Sequence, residues 1–485
     1  MKKFVVGILC FLIAGGAGFF GIQFFTKTGL FRNPGELVFA ESFLDSEAEE
    51  YRELFSETTL DKDLVFSYVS ETSLRSGDPE GTKTFLVDVI VPIEDFYSTV
   101  ETIPLDEFDR RVASGENVVS VSELDSSEKL IAVDGRYFLD SFSDGAMFKY
   151  LRIEGGEKDL KTATELITPT LQSFPEKSNT LSMAQTGVTA FGRGLNSMMN
   201  SVGDGKYFSE KIGEYLRSFD LTHTSNEASF SENASSANIC ADERFLDTLT
   251  DIGLDIVELT GNHNLDCGAE DAIATIEKYE QAGIKIVGGG RNAEEAARPL
   301  SFNQKGSGIT MLAYNESTGG ATTGDTPGAN QYSEEDARER ISEAKARGDT
   351  VIVDMQYFEC SEYDSAVENT ACDYANSSDG DQIGVFRNLI DLGADVVVGT
   401  SAHQPQTFEK YGRGEIYYGL GNIFFDQVWW PGTTRSLGLV HYFWDGKLVQ
   451  TRRFGTVYDS DLQTRLMDDS EMEYFIERLA EARPL

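Results

Sequence analysis

The stretch ELTGNHNLDCG, residues 258–268, sets Asn262 and His263 side by side where an apolar run ends and the chain turns at glycine. Amide oxygen and imidazole nitrogen both ligate divalent ions. The chain has four His residues, His223, His263, His403 and His441, so each one is worth placing. Glu227 and His403 complete an O/N donor set that suits Mn, Zn or Fe. An ion held there would polarise a phosphoryl or carbonyl oxygen and lower the pKa of a bound water. Arg193 offers a planar fork for an anionic group, and Asp266 stands where it can orient the His263 ring. The candidate catalytic residues are therefore Arg193, Asn262, His263 and His403. The candidate metal ligands are Glu227, Asn262, His263 and His403. Blander readings stand beside these. Asn-His in a turn is often only a turn, His403 after a buried strand can be a satisfied core histidine, and Glu227 can be a cap. His223 and His441 read as structural, and FFDQVWW reads as core or interface before it reads as a sugar platform.

These residues need elements to position them. From about residue 180, short β-type runs alternate with amphipathic stretches such as AEDAIATIEKYEQAG, SEEDARERISEAKARG and DQIGVFRNLIDLG, each closing on a glycine as helix ends often do. That alternation predicts an α/β sheet. Polar residues cluster at the carboxyl ends of the runs, where open α/β sheets bind ligands. Gly187 to Arg193 follow MAQT, Glu227 follows DLTHTS, Asn262 and His263 follow VELTG, and Asn315 follows TMLAY. Gln356 follows VIVDM, Ser401 and His403 follow VVVGT, and Asn422 follows YYGLG. Asp266, Asn315, Gln356, Asn422 and Asp426 are expected to support the site.

The chain is 485 residues long, long enough for two or three domains, and is 40% hydrophobic with 11% aromatic residues, which is a globular composition. Its 81 acidic and 41 basic residues leave a formal charge of −40. No basic face is available to displace counterions, so nucleic acid is not an expected partner. Lys2 and Lys3 precede the uncharged run FVVGILCFLIAGGAGFFGIQFF, and a helix of about 20 apolar residues spans a bilayer. The run exceeds the usual h-region of a signal peptide and lacks a clear A-x-A cleavage site. It is read as an uncleaved single-pass anchor over 1–27, with the bulk of the chain outside the cytoplasm. A stalk over 28–45 and a small α/β domain of unknown role over 46–175 are expected next. The main domain is expected over 180–455 and a helical tail over 456–485. Four cysteines lie outside the anchor, Cys240, Cys267, Cys360 and Cys372. An even set fits an oxidising compartment, and the local pairs Cys240–Cys267 and Cys360–Cys372 are favoured among the three connectivities.

Four blocks occur in order and at matching spacing: TGVTAFGRGLN, DLTHTSNEASF, VELTGNHNLDCG and VVVGTSAHQPQTFEKYGRGEIYYGLGNIFFDQ. Over about residues 180–455 the chain resembles the CapA family of poly-γ-glutamate capsule synthesis proteins, also called PgsA. The resemblance implies a calcineurin-like metallophosphatase fold, a four-layer αββα sandwich, here preceded by the smaller α/β domain and the transmembrane helix. It implies a role in making or exporting an anionic surface polymer such as poly-γ-glutamate, beside membrane proteins of polymer synthesis and export. Carried over residue by residue, the family's Glu falls on Glu227, its Asn-His pair on Asn262 and His263, and its last His on His403. Three positions depart from the pattern. Val188 stands where the family's GD pair has Asp, Thr400 and Ser401 replace two histidines of the GHHPH block, and Gln356 stands where another His is usual. The set is too poor for a two-metal hydrolytic centre, which needs bridging carboxylates and several imidazoles. A single weaker divalent site, or a site that binds polymer without cleaving it, is what the remaining residues suit. A polyanion would be repelled by the acidic surface except at a local basic spot, for which Arg193 and Arg435 are the candidates.

Overall fold

A computed structural model describes residues 35–40, 43, 45–69, 79–316, 319–357 and 381–484. The expected anchor over 1–27 and the expected Cys360–Cys372 pair lie outside these residues. Among the described residues no helix is long and apolar enough to cross a membrane. The chain divides into two compact units. The first lies within residues up to Glu94, with 100–124 and 130–176. Its sheet sets Leu37–Phe39, Leu64–Val69, Met147–Glu154, Thr82–Asp95 and Val118–Ser120 side by side. Phe55, Phe66, Leu151, Ile153, Ala163 and Ile167 form its core, to which helix Glu157–Ile167 gives one apolar face.

The second unit holds Lys177–Leu485 with two short segments, 95–99 and 125–129. Its strands are β1 Thr180–Thr189, β2 Leu221–Asn226, β3 Ile256–Glu258, β4 Lys285–Val287, β5 Leu300–Gln304, β6 Ser307–Asn315 and β7 Thr350–Gln356. They continue as β8 Val396–Gly399, β9 Phe408–Tyr411, β10 Gly414–Tyr417, β11 Asn422–Phe424, β12 Arg435–Trp444, β13 Lys447–Tyr458 and β14 Thr464–Leu466. The larger sheet runs β4-β3-β2-β1-β12-β13-β14, with β11 beside the end of β1. The smaller runs β5-β6-β7-β8-β10-β9. In the first, β1 to β4 are parallel and β12 to β14 antiparallel; in the second, β6, β7, β8 and β10 are parallel. Both sheets are thus mixed. The central parallel strands are buried on both faces, which is why runs such as TVIVDMQ are apolar without alternation.

Leu181, Met183, Leu221, Ile256 and Leu439 of the larger sheet meet Ile309, Met311, Ile352, Val396 and Tyr417 of the smaller in one core. The opposite face of the smaller sheet, through Leu312, Val351, Val353 and Val397, packs on α4 Glu334–Arg347 and α5 Gln382–Leu392. The larger sheet is flanked by α1 Arg193–Val202, α2 Phe245–Asp251 and α3 Ala269–Gln281. Phe245 stacks on Phe191 at 4.4 Å, and Tyr279 accepts a hydrogen bond from Asn226 at 2.8 Å. The layers therefore run helix, sheet, sheet, helix, the α/β architecture expected. Ser333 and Asp381 cap α4 and α5, and Gly348 and Gly393 end them in the left-handed conformation. The C-terminal helix α6 Asp469–Glu481 is built into the intersheet core through Phe475, Ile476 and Leu479.

Candidate functional site

The smaller sheet's register decides what its carboxyl edge presents. Asn315 pairs with Gln356, and Met355 pairs with Gly399, so Asn315 and Gln356 at the ends of β6 and β7 share one row with Thr400, the residue just past β8. Two residues back along each strand lie Ala313, Asp354 and Val398, and Ala313 and Val398 face the intersheet core. The period of two puts Asn315, Gln356 and Thr400 on that same face. All three are buried.

Gln356 is the hub. Its Nε2 donates toward Asn262 Oδ1 at 3.2 Å, Ser401 Oγ at 3.2 Å and Glu227 Oε1 at 3.4 Å. Glu227 lies just past β2, Asn262 past β3 and Ser401 past β8. Gly261 makes the approach of the first two achievable. A Cβ at position 261 would stand 2.7 Å from the Glu227 Cα and 2.9 Å from its Cγ, so only a residue without one lets the chain pass. Asn315 donates its Nδ2 to Thr260 O at 2.6 Å and Gly319 O at 3.0 Å, which anchors the turn ahead of Asn262.

His263 is partly exposed, and its Nδ1 is 2.8 Å from Asp266 Oδ2. The next residue, Cys267, is bonded to Cys240 with an S–S distance of 2.12 Å and Cα atoms 5.8 Å apart. The bridge ties down the turn that carries His263 and Asp266. His403 Nδ1 lies 2.8 Å from Asn422 Oδ1, and its ring centre lies 5.1 Å from that of Phe425. Arg193 also lies on Phe425, its guanidinium 4.5 Å from the ring centre and 5.9 Å from that of Trp429. Arg193 pairs with Asp426 at 2.6 Å, and the other Asp426 oxygen accepts from Gly194 N at 2.9 Å. Asp426 thus occupies the amino end of α1, where the helix dipole favours an anion. Arg193 begins α1 with a φ of 44°, a left-handed conformation that costs a non-glycine residue about 1–2 kcal/mol. Its backbone bond to Asn238 O and its pairing with Asp426 hold it there. The expected basic spot is therefore already paired at Arg193.

Glu227, Asn262 and Ser401 surround Gln356. His403 and Arg193 both lie on Phe425, with Asn422 and Asp426 as their respective partners. Among the described residues no three His, Cys, Asp or Glu side chains are grouped as metal ligands. The donor chemistry agrees: Glu227 and Asn262, the proposed oxygen ligands, face the hydrogens of an amide, not a gap between lone pairs. As arranged, the residues do not fit a Zn, Mn or Fe centre.

Behind the site runs a polar seam between the sheets. Asp354 lies 3.1 Å from His223 Nε2 and accepts from Gln185 Nε2 at 2.6 Å. His441 reaches Gln185 Oε1 and Thr451 Oγ1, both at 3.0 Å. Burial, with a smaller contribution from His223, pushes His441 down to about 3, so it is neutral. Burial, then the Asp354 charge, pushes the Glu258 carboxyl up to about 8. His223 and His441 are structural residues of this seam. Sequence reasoning missed Gln185, Asp354 and Glu258, although each is a polar residue inside an otherwise apolar β-run. In FFDQVWW, read above as core or interface, Phe424 and Phe425 are buried, while Val428, Trp429 and Trp430 are exposed.

The model of the bacterial capsule synthesis protein family PGA_cap matches residues 182–427, just over half of the chain and the part that carries every strand end described above. The chain belongs to this family. It is 26% identical over 293 residues to the capsule biosynthesis protein CapA of Bacillus anthracis, covering 58% of this chain and 67% of that protein. It is 26% identical over 285 residues to the PGA biosynthesis protein CapA of Bacillus subtilis, covering 57% and 70%. A probable polyglutamine synthesis accessory protein of Mycobacterium tuberculosis is 28% identical over 188 residues, covering 36% and 46%. Within this CapA-like chain the matched segment ends at Gln427, immediately past Asp426 and ahead of Trp429 and Trp430.

Proposed function

We propose that this CapA-like chain is a membrane-anchored, extracytoplasmic protein of capsule or anionic surface-polymer biosynthesis or export, and that its act is to hold a polymer of the poly-γ-glutamate type at the strand ends of the larger unit. The observation that carries the reading is the family match over 182–427, within which Gln356 draws together side chains from three strand ends. The apolar run after Lys3 and the Cys240–Cys267 bridge support placement outside the cytoplasm. The helix–sheet–sheet–helix layering agrees with a calcineurin-like metallophosphatase ancestry. Membrane proteins of polymer synthesis or export are the partners this placement calls for.

Arg193, seated on Phe425 beside the exposed Trp429, would exchange its Asp426 contact for a polymer carboxylate, with the Trp ring covering the chain. A metal-dependent phosphoesterase would draw on Glu227, Asn262, His263 and His403 for its ion. Val188, Gln356, Thr400 and Ser401 leave that set without bridging carboxylates, so binding is the preferred act.

The test is binding of poly-γ-glutamate to the full-length chain in detergent, followed by calorimetry. Arg193→Ala removes a charge-assisted bond worth about 1.5–3 kcal/mol, so affinity should fall roughly 10-fold or more. Absence of binding by the unaltered chain defeats the reading. Protease treatment of intact cells tests the placement, since an extracytoplasmic unit is cleaved without lysis.

A further inference from the structure

We propose that the side-chain amide of Gln356 stands in for a cation at the strand ends, so that this site works without a divalent metal. The inference rests on taking the strand-end cluster as the working site of the polymer-handling function above.

Three acceptors from three separate chain segments converge on one atom. Glu227 Oε1, Asn262 Oδ1 and Ser401 Oγ lie 3.4, 3.2 and 3.2 Å from Gln356 Nε2. The carboxylate and the amide oxygen can only accept and the hydroxyl can accept, so a donor at their centre suits all three. An amide NH2 carries two hydrogens and a partial positive charge, so one of the hydrogens is shared between two of the three acceptors. Turning the amide over would aim Gln356 Oε1 at a carboxylate and another amide oxygen, leaving Ser401 as the sole donor to it. The nitrogen is therefore the atom that faces inward.

Two of the contacts, at 3.2 Å, are at the long end of N–H donation, and the Glu227 contact at 3.4 Å is longer still. Oxygen ligands of Zn sit at about 2.0–2.2 Å, so a divalent ion at this centre would need each acceptor to move inward by about an ångström. Gln356 itself cannot move aside freely. It is the last residue of β7, held in register between Asn315 and Thr400, and it is 2% exposed. An imidazole or carboxylate at this position would present lone pairs to Glu227 and Asn262, and an ion would be needed between them. The amide presents hydrogens, and the need disappears. One Glu227 oxygen then meets a neutral donor.

The experiment uses the full-length chain with Mn and Zn as probes. Metal content after dialysis is measured by elemental analysis, and Tm is recorded with and without each ion. The unaltered chain should retain no stoichiometric metal and show no Tm shift. Gln356→His and Gln356→Glu should each gain a Tm increase of several degrees on adding ion, because binding only to the folded state stabilises it. Stoichiometric Mn or Zn on the unaltered chain overturns the proposal, and that measurement stands even if both variants fail to fold. Folded variants that remain indifferent to metal also overturn it, because Gln356 would then not be what keeps the ion out. Poly-γ-glutamate binding is measured beside this with and without chelator. Binding that requires metal overturns this inference and leaves the polymer reading intact. No binding under any condition defeats the polymer reading, while the metal measurements still decide the role of Gln356.

Discussion

Gln185 and Asp354 meet across the two sheets: Gln185 Nε2 donates to Asp354 Oδ1 at 2.6 Å, and neither residue is exposed. Asp354 also faces His223, and Gln185 also holds His441. Asp354→Ala leaves two buried partners facing nothing. Breaking such a pair from one side costs about 3–5 kcal/mol. Urea unfolding should show a lower midpoint with an unchanged slope; a variant as stable as the parent refutes the seam's structural role.

Glu258 makes stability fall as pH rises. Its folded pKa, about 8, lies above the usual carboxylate value because burial, then Asp354, disfavours the charge. Between the unfolded value and about 8, the folded state holds a proton that the unfolded state has lost, so each step up in pH destabilises. Ser225, Thr260 and Glu227 are the other groups acting on this carboxyl. Glu258→Gln removes the titration. Its stability should be flatter than the parent's from pH 5 to 8, with the largest relative gain at pH 8. His441 works in the opposite sense at lower pH: its pKa is depressed to about 3, so its contribution is lost as pH falls below its unfolded value.

Thr400 carries a buried hydroxyl without a hydrogen-bond partner among the described residues, as do the side-chain oxygens of Asn315 and Gln356 in the same row. An unsatisfied buried polar group costs about 1–3 kcal/mol. Thr400→Val keeps the shape and removes the group. Calorimetry should show a Tm higher by roughly 1–2 °C per kcal/mol recovered. A fall in Tm would mean that an ordered water already satisfies the hydroxyl.

The Cys240–Cys267 bridge closes a loop of 27 residues, for which chain entropy gives about 3–4 kcal/mol. Reducing agent should lower the Tm of the unaltered chain and leave that of Cys240→Ser/Cys267→Ser unchanged.

Much of this arrangement is legible in the linear order of residues. Apolar runs such as VIVDM and VVVG, alternating with helices that end on Gly348 and Gly393, specify α/β layering because each pattern suits one kind of buried face. The Asn262–His263 pair and Gln356 stand at run ends, and strand ends are where backbone turns free side chains to meet. The Cys240–Cys267 pair is readable from local spacing. Tertiary structure alone decided the rest. Gln356 becomes a hub because β7 lies beside β8, which brings Ser401 to it from 45 positions away, and because the larger sheet packs on the smaller, which brings Glu227 to it from 129. Gln185 and Asp354, 169 residues apart, read in sequence as stray polar residues in apolar strands. They become partners only when two sheets close on each other, because a buried polar group must find its partner wherever packing places one.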